Sequence, residues 1–423
     1  SKDSEFAFSV NAERETDLGT LKLGFKSKNR EKDVDDYIIV YEADTTMADF
    51  DPQTLDWQFA GQTFSQQANP DMIYALRNQL DSLSVDFSND YARDFVTEEK
   101  VNALYIQNTY TWDKGVIVAG VRYEDASTDS QAFDQDGNQV FAGSNHSFFA
   151  PSINVKYFLD DRLQLRGAIW KGLSRPGFKK TAPKLDYDND EGDISGSAGN
   201  PDLKPYEAIN YDLSLEFYGD DMTFASVGLF RKNIENAIYP KIYKTATFLG
   251  VTFNDDVETW ENAQDSTING LELNLQYGWE NGMYFAGNVT LTDGESTFEP
   301  TDDVSFTTPF RKLADEAFNI SLGYDKGPWD VRLAANYRSD YLDWLSDEGD
   351  DIDDVSENNS RFVDNYLQVD FTAKYKTSDN LEFKFEAVNL GNEEEYYYWG
   401  NENQLSQYDV YGRNYSLGMT YNF

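Results

Sequence analysis

His146 is the only histidine of the chain and the side chain best suited to act as a base near neutral pH. Ser144 and Ser147 flank it, so a Ser-His-Asp hydrolase is the enzyme to weigh. Nothing in the spacing fixes such a triad, and the chain has neither a P-loop nor a dinucleotide-binding motif. It also lacks cysteine, which excludes disulfides and thiolate metal sites. We therefore expect no enzymatic activity.

Carboxylates recur in three segments that resemble calcium-binding loops in composition. These segments lie at 134–137, 186–192 and 347–354. None of them has the bidentate glutamate and the fixed register of a calcium loop. We expect solvated acidic loops and no cofactor, with loop calcium as the alternative.

Aromatic side chains set among carboxylates and amides are the third chemical feature. Aromatic faces stack on the C–H faces of sugar rings, while polar neighbours hydrogen-bond the hydroxyls. The formal net charge of −41 predicts an acidic rim, which would repel anionic ferric siderophores. A neutral oligosaccharide is therefore the predicted ligand, and packing of these rings within loops is the alternative. The candidate ligand-binding residues are Trp57, Tyr74, Trp260, Trp344, Tyr397 and Trp399.

The segments that must position these residues alternate polar and apolar side chains. At 271–279, for example, leucine and aromatic residues alternate with Glu272, Asn274 and Gln276. About fifteen segments of roughly ten residues show this period, and that length crosses a bilayer when the strand is tilted. The longest apolar run, 116–121, is too short for a membrane helix. The pattern predicts an all-β, transmembrane antiparallel β-barrel.

Connections between these segments alternate strictly between short and long, as in outer-membrane barrels. Aromatic residues cluster beside the short turns, which predicts an interfacial girdle on the periplasmic side. A large soluble β-protein would explain neither feature. The predicted short turns are Thr16–Gly19, Asp113–Gly115, Asp160–Asp161, Gly219–Asp221, Glu280–Gly282, Asp325–Pro328 and Thr377–Asn380. The predicted long extracellular loops lie near 31–97, 128–146, 173–205, 236–266, 294–312, 340–362 and 392–410.

Two stretches resemble the TonB-dependent receptors of Gram-negative outer membranes. The first is RGAIWKGLSRPGF at 166–178, followed by GNPDLKPYEAINYDLSLEF at 199–217. The second runs from VNLGNEEEYYYWGN to the terminal YGRNYSLGMTYNF within 388–423, and the match departs at Tyr206 and Gly391. The resemblance assigns structural roles to Arg175, Pro176, Gly199, Asn200, Pro201, Pro205, Asn389, Gly412, Arg413 and Phe423.

That resemblance implies a receptor of the Gram-negative outer membrane that imports a scarce nutrient. In the family a plug domain precedes a 22-stranded barrel. Counting back from the last strand makes 1–423 the C-terminal part of the barrel domain, strands 8–22, with the plug absent from this chain. A ferric-siderophore or cobalamin receptor is the alternative within the family, and a passive porin or a surface-binding barrel is the alternative outside it.

The resemblance also implies partners. TonB and its inner-membrane energy complex would act through the missing plug, and the barrel-assembly machinery would recognise the C-terminal strand. Outer-membrane lipid and lipopolysaccharide would surround the barrel, and a small nutrient would bind the outer loops. The strongly negative charge argues against nucleic acid as a partner.

Overall fold

Fifteen long strands follow one another along the chain and pair in sequence order into one antiparallel sheet. The sheet belongs to a computed structural model, which describes residues 1–35, 39–40, 46–51, 58–59, 62–63, 68–77, 84–85, 94–134, 137–190, 192–263, 265–299, 306–345 and 360–423. The strands, β1 to β15, are Lys2–Thr16, Gly19–Val34, Phe95–Trp112, Gly115–Phe133, Gln139–Phe158, Leu163–Ser174, Tyr206–Tyr218, Phe224–Glu235, Ser266–Gly278, Met283–Phe298, Glu316–Lys326, Trp329–Arg338, Tyr366–Ser378, Leu381–Val388 and Asn414–Tyr421. The predicted fold class and strand number are confirmed.

One face of this sheet carries exposed apolar side chains. On β9, for example, Leu273 and Leu275 are 41% and 48% exposed, while polar residues alternate with them. Leu417 on β15 and the terminal Phe423 are exposed in the same way. Such a face is stable only where lipid is its solvent, so it is the outer wall of a membrane β-barrel.

The first and last strands are the edges of the sheet. Within the described ranges, β1 pairs only with β2, and β15 pairs only with β14. Every residue of both edge strands is exposed. Because the strand number is odd and the pairing antiparallel, both edges run in the same direction.

All seven predicted short turns join consecutive strands at one end of the sheet. The β1–β2 turn requires Gly19, whose φ is +106°, and a Cβ there would lie 2.1 Å from the Thr109 carbonyl oxygen. Aromatic pairs lie beside the turns, such as Tyr277 with Trp279, whose ring centroids are 4.9 Å apart. This arrangement fits the girdle that the sequence predicts for the periplasmic boundary.

The long connection predicted near 128–146 is wrong. The strand β4 continues to Phe133, and β5 begins at Gln139, so only five residues separate the two strands. Here Gly137 N donates to Asp134 O at 2.9 Å. Residues 124–133 are largely polar on both faces because the strands extend beyond the apolar band, and polarity alone therefore looked like a loop.

The other long connections form two small sheets above the barrel wall. The first loop sheet contains, in spatial order, Leu185–Asp190, Asp193–Ala198, Val257–Asn262 and Ile238–Tyr243. The second loop sheet contains Tyr341–Trp344, Arg361–Val363, Glu395–Trp399 and Leu405–Asp409. The remaining short strands are Ile39–Val40 with Ser84–Val85, Gln58–Phe59 with Gln62–Thr63, Ala246–Phe248 with Val251–Phe253, and Phe306–Pro309 against β10.

Helix is scarce. The structure has α1 at Pro70–Arg77, α2 at Phe178–Thr181 and a 3-10 turn at Met47–Phe50. None of the helices in the described part of the chain is long and apolar enough to cross a membrane.

Buried apolar clusters lie at the long-connection end rather than within the wall. One cluster joins the first loop sheet, through Tyr239, to the second loop sheet, through Leu342. Another packs Ala182, just after α2, against Phe95 of β3 and Ala132 of β4. The connections are therefore folded onto one another and onto the wall, and they can hold side chains in defined positions.

Candidate functional site

A basic cavity of about 1120 Å³ lies between the ends of β2 and β3, the connection 175–205 and the strand Val257–Asn262. Seven cationic side chains and three carboxylates line it. Its charge is therefore opposite in sign to the chain's net charge of −41 and to the acidic rim expected from that charge. The cations are Lys28, Arg30, Lys32, Arg175, Lys179, Lys180 and Lys184, and the carboxylates are Glu99, Asp186 and Glu258.

Cations on the β2 side of this basic cavity are paired with carboxylates of the wall. Lys28 Nζ lies 3.1 Å from Glu99 Oε1. Arg30 donates from Nε and Nη2 to the two carboxylate oxygens of Asp3, at 3.1 and 2.6 Å. These pairs tie β2 to its neighbours β1 and β3, so much of their charge is already neutralised.

Arg175 anchors the connection 175–205 to the wall. Its Nη2 donates to Glu124 Oε2 at 2.6 Å, and its Nε lies 3.7 Å from Glu99 Oε2. Nε is buried and has no hydrogen-bond acceptor among the residues described. The resemblance assigned Arg175 to a structural region, and its contacts fit that role although the residue also lines the basic cavity.

Lys179 and Lys180 carry the least compensated charge of the cavity. Lys180 Nζ lies 3.6 Å from the centroid of the Trp260 ring. In the described ranges, no carboxylate forms an ion pair with either lysine. The pKa of Lys180 is lowered to about 8, mainly by burial and also by the positive charges of Arg311 and Lys312. At neutral pH it is thus a cation without an anionic partner, which suits the binding of an anion.

Asn200 positions this lysine against its tryptophan. Its backbone N donates to Lys180 O at 2.8 Å, and its side-chain Nδ2 donates to Trp260 O at 2.7 Å. Gly199 precedes it because a Cβ there would lie 1.9 Å from Ala182 O. The glycine–asparagine pair of the first motif therefore holds α2 and the first loop sheet together.

The three prolines of that motif lie along the same connection. Pro176 lines the basic cavity. Pro201 follows Asn200 in the turn, and Pro205 is buried directly before β7 begins. Their positions are consistent with shaping the chain rather than with contacting a ligand.

The arginines at the second loop sheet are paired with carboxylates. Arg361 donates from Nε to Asp343 Oδ2 at 2.9 Å and also contacts it through Nη2. Its guanidinium lies 5.3 Å from the centroid of the Tyr397 ring. Burial and then the negative charge of Glu395 raise the pKa of Tyr397 to about 12. Arg338 likewise donates from Nη2 to Glu395 Oε1 at 3.1 Å.

Three of the predicted ligand-binding rings are in contact with a cationic side chain of the protein. They are Trp260, Tyr397 and Trp344, and the Arg311 guanidinium lies 4.8 Å from the centroid of the Trp344 ring. One face of each ring is therefore engaged in a cation–π contact. This leaves the rings less suited to the sugar stacking expected from the sequence.

The other three predicted aromatic residues lie apart from the cavity or outside the described residues. Trp57 falls outside them. Tyr74 lies on α1, is 62% exposed and does not line the basic cavity. Trp399 lies opposite Arg361 in the second loop sheet. Of the six predicted ligand residues, Trp260 is the one that the structure brings to the basic cavity.

Residues of the C-terminal motif form a network of hydrogen bonds in the connection between β14 and β15. Asn389, at φ +56°, donates from Nδ2 to the carbonyls of Glu393 and Gly412 at 2.8 and 3.2 Å. Arg413 Nε donates to Leu390 O at 3.0 Å. These bonds close the last connection, in keeping with the structural role that the resemblance implied.

No hydrolase triad forms around His146. Its Nε2 lies 3.2 Å from Glu207 Oε1, and Ser147 donates instead to Asp125 Oδ1 at 3.0 Å. For metals, no group of three or more His, Asp or Glu side chains within the described ranges could hold an ion. The predicted acidic segment 347–354 lies outside those ranges, and loop calcium stays a prediction.

The basic cavity was not predicted, although the sequence does contain a signal for it. Residues 175–184 read RPGFKKTAPK, which places four cations and no carboxylate within ten residues of a strongly acidic chain. Lys28 and Arg30 join this cluster only through the pairing of strands far apart in sequence. The local excess of cations in this segment, rather than the net charge of the chain, indicates the cavity.

Comparison with protein families identifies the fold. A family model described as TonB dependent receptor-like, beta-barrel matches residues 3–390. The chain belongs to the TonB-dependent receptor family. It is accordingly a β-barrel protein of the Gram-negative outer membrane.

Individual relatives of this TonB-dependent receptor are distant. The probable TonB-dependent siderophore receptor PirA of Acinetobacter baumannii is 26% identical over 219 residues, 44% of this chain and 26% of the relative. The ferrienterobactin receptor of Escherichia coli strain K12 is 24% identical over 271 residues, 61% of this chain and 33% of the relative. The crystal structure of the siderophore receptor PiuA from Acinetobacter baumannii superposes with a TM-score of 0.65 at 14% identity.

The superposition with PiuA covers 99% of this chain and 56% of that chain. At this identity the likeness concerns the fold alone. The chain thus spans only part of the length of the relatives it matches, and the described residues contain barrel strands and their connections.

Proposed function

We propose that this receptor binds an anionic ferric chelate of the siderophore class in the basic cavity and imports it with energy supplied through TonB. The observation that carries the proposal is the charge of the cavity. Seven cations face three carboxylates there, within a chain of net charge −41. Such a local reversal concentrates an anionic ligand against the field of the rest of the protein.

Lys180 and Trp260 provide the specific contacts. Among the described residues no carboxylate pairs with the ammonium group of Lys180, so an incoming anion has none to displace there. Trp260 holds this ammonium group through a cation–π contact and borders the cavity. Lys179, one residue away and exposed, extends the positive surface toward the opening.

The names of the relatives agree with this ligand class. PirA and PiuA are described as siderophore receptors, and the Escherichia coli relative as a ferrienterobactin receptor. A neutral oligosaccharide, predicted from the acidic composition, has no comparable support. The cavity charge favours an anion, and the predicted rings carry cations on one face.

The test is competitive binding by the whole receptor in detergent. The probes are a trianionic ferric tris(catecholate), a neutral ferric tris(hydroxamate), cyanocobalamin and maltohexaose. We expect the trianion to bind at least tenfold more tightly than the others. A hydrogen bond to a charged group contributes about 1.5–3 kcal/mol, so K179Q/K180Q should weaken the trianion by roughly a hundredfold.

Lys244→Gln is the matched control because Lys244 is an exposed lysine of a connection and does not line the cavity. It should leave the affinity unchanged. Tightest binding of maltohexaose or cyanocobalamin, or equal loss in K244Q and K179Q/K180Q, would contradict the proposal.

Energy coupling and partners are part of the same proposal. TonB and its inner-membrane complex would act through a plug domain, the assembly machinery through β15, and lipid would cover the outer wall. In cells lacking TonB, we expect the iron-55 chelate to bind the surface without entering. Undiminished uptake in such cells would support the passive porin instead.

A further inference from the structure

An apolar groove of about 580 Å³ runs along the outer wall across β5, β6, β7 and β8. Two neighbouring rows of outward-facing residues form it, and within each row the residues are paired from one strand to the next. The row nearer the short turns reads Val155, Gly167, Leu213 and Leu229, and the row above it reads Ile153, Ile169, Tyr211 and Arg231. The groove is therefore apolar along its length and ends beside one cation.

Gly167 creates the groove. Its neighbours on the row are Val155 on one side and Leu213 on the other, and Leu213 and the next residue, Leu229, are 50% and 56% exposed, so the row lacks a side chain only at Gly167. A Cβ at Gly167 would meet nothing closer than Asp212 O at 3.8 Å. Close packing therefore does not require the glycine, and a larger side chain there would fill the groove.

Arg231 marks one end of the groove, where it is the cation nearest to the apolar rows. It is exposed, follows the last apolar outward residue of its strand, Leu229, and donates from Nε to Asn233 Oδ1 at 2.9 Å. Within the described residues no carboxylate forms an ion pair with it. By contrast Lys171, on the row above Ile169, is neutralised by Glu207, with Nζ 2.5 Å from Oε2.

We propose that this groove binds lipid A, with one acyl chain along Gly167 and a phosphate on the guanidinium of Arg231. The apolar length matches a hydrocarbon chain, and each buried CH₂ contributes about 0.8 kcal/mol. The guanidinium matches a phosphate, which it can bind through two parallel hydrogen bonds. The occupant is a lipid of the outer leaflet because Arg231 lies toward the long connections, which are extracellular in this family.

The experiment measures lipid retention by the whole receptor, delipidated in detergent and titrated with bisphosphorylated lipid A while native mass spectra are recorded. G167L fills the groove, and R231Q removes the cation. Each should raise the apparent dissociation constant at least tenfold, and R231K should restore most of the affinity. A335L, an outward position on β12, and R162Q, whose arginine pairs with Asp220 at a short turn, should retain lipid A as the parent does.

Further lipids identify the source of the phosphate. Dephosphorylated lipid A should bind the parent no better than lipid A binds R231Q, and phosphatidylglycerol should be at least tenfold weaker than lipid A. Equal retention of lipid A by the parent, G167L and R231Q would overturn the proposal. So would equal binding of phosphatidylglycerol. Because the groove lies on the outer wall, chelate binding in the basic cavity should be unchanged in both variants, which separates this test from that of the transport function.

Discussion

The basic cavity and the second loop sheet both bring cations to aromatic rings, yet they differ in how the cations are compensated. Arg361 is bonded to Asp343, which is only 7% exposed, and lies over Tyr397. Lys180 also lies over an aromatic ring, that of Trp260, but has no carboxylate partner among the described residues. In the second loop sheet Arg361 is paired with a carboxylate, whereas in the basic cavity the charge of Lys180 remains available to a ligand.

This difference distinguishes structural charge from binding charge. In a compensated pair such as Arg361–Asp343 the mutual attraction offsets the cost of burying the charges, so the pair offers little to a ligand. An uncompensated, half-buried lysine is costly in the empty protein, as the lowered pKa of Lys180 indicates. An anion that binds there would remove this cost, which is why we propose the available charge as the ligand site.

The largest effect should come from breaking the compensated region. Arg361→Ala leaves the buried Asp343 with only the exposed Lys312, whose Nζ lies 3.6 Å from Oδ1, so the cost should approach the roughly 3–5 kcal/mol of breaking a buried pair. We expect hydrogen-exchange protection of the strands Glu395–Trp399 and Leu405–Asp409 to fall by about a hundredfold or more.

Two further variants sharpen this result. The double variant R361M/D343L should regain part of the protection because both charges of this pair are removed, while Arg311 and Lys312 lose the nearby carboxylate of Asp343. K180Q should leave the protection of these strands unchanged. A loss of protection in K180Q equal to that in R361A would remove the distinction between the two regions.

The next largest effect should come from replacing Asn200, which positions Lys180 in the basic cavity. Asn200→Ala removes the hydrogen bond to Trp260 O and frees Lys180 to move from the ring. A lost hydrogen bond to a buried carbonyl costs about 1–3 kcal/mol, so we expect affinity for the ferric trianion to fall about tenfold. N145A, at an exposed asparagine of β5, is the control, and an affinity loss as large in N145A would contradict a positioning role for Asn200.

A dependence on pH should follow from Lys180. Its pKa of about 8 means that the amine is charged at pH 7 and loses its proton as the pH rises through 8. Affinity for the trianion should therefore fall about tenfold between pH 7 and pH 9 in titration calorimetry. K180Q should show a flat profile over this range, and a profile in K180Q as steep as the parent's would assign the titration to another group.

The smallest effect separates the two tryptophans. A cation–π contact contributes about 0.5–2 kcal/mol, so Trp260→Leu should weaken the trianion several-fold. Trp344→Leu, in the second loop sheet, should change the affinity less than twofold, as measured by fluorescence quenching or calorimetry. The reverse order would move the ligand site to the second loop sheet.

Period-two alternation predicted the strands and the short turns because lipid faces one side of the wall and the lumen the other. The method failed at 128–146, where β4 and β5 rise above the apolar band, so that Asn145 faces water and the polar Ser130 is buried beside Thr97. Outside the lipid-facing band both faces of a strand can be polar, so alternation with a period of two no longer distinguishes a strand from a loop. The two loop sheets were missed for a similar reason, since their short strands are set by contacts between different connections.

The site was harder to predict than the fold. Trp260 was a candidate, but its partner Lys180 lies 80 positions earlier in the sequence. Net charge predicted an acidic surface because it averages over the whole chain, whereas strand pairing gathers Lys28 and Arg30 next to the cluster at 175–184. The motif residues Gly199 and Asn200 were predicted to be structural, and the contact of Asn200 with Lys180 could be seen only in three dimensions.

The most direct measurement is the position of iron in crystals of the whole receptor soaked with the ferric tris(catecholate), located by anomalous scattering at the iron edge. We predict a single strong peak inside the basic cavity, between Lys180, Trp260 and Arg175. A peak over the second loop sheet, near Trp344 and Tyr397, or a saturated crystal without iron in the cavity, would contradict the assignment of the uncompensated charge to the ligand.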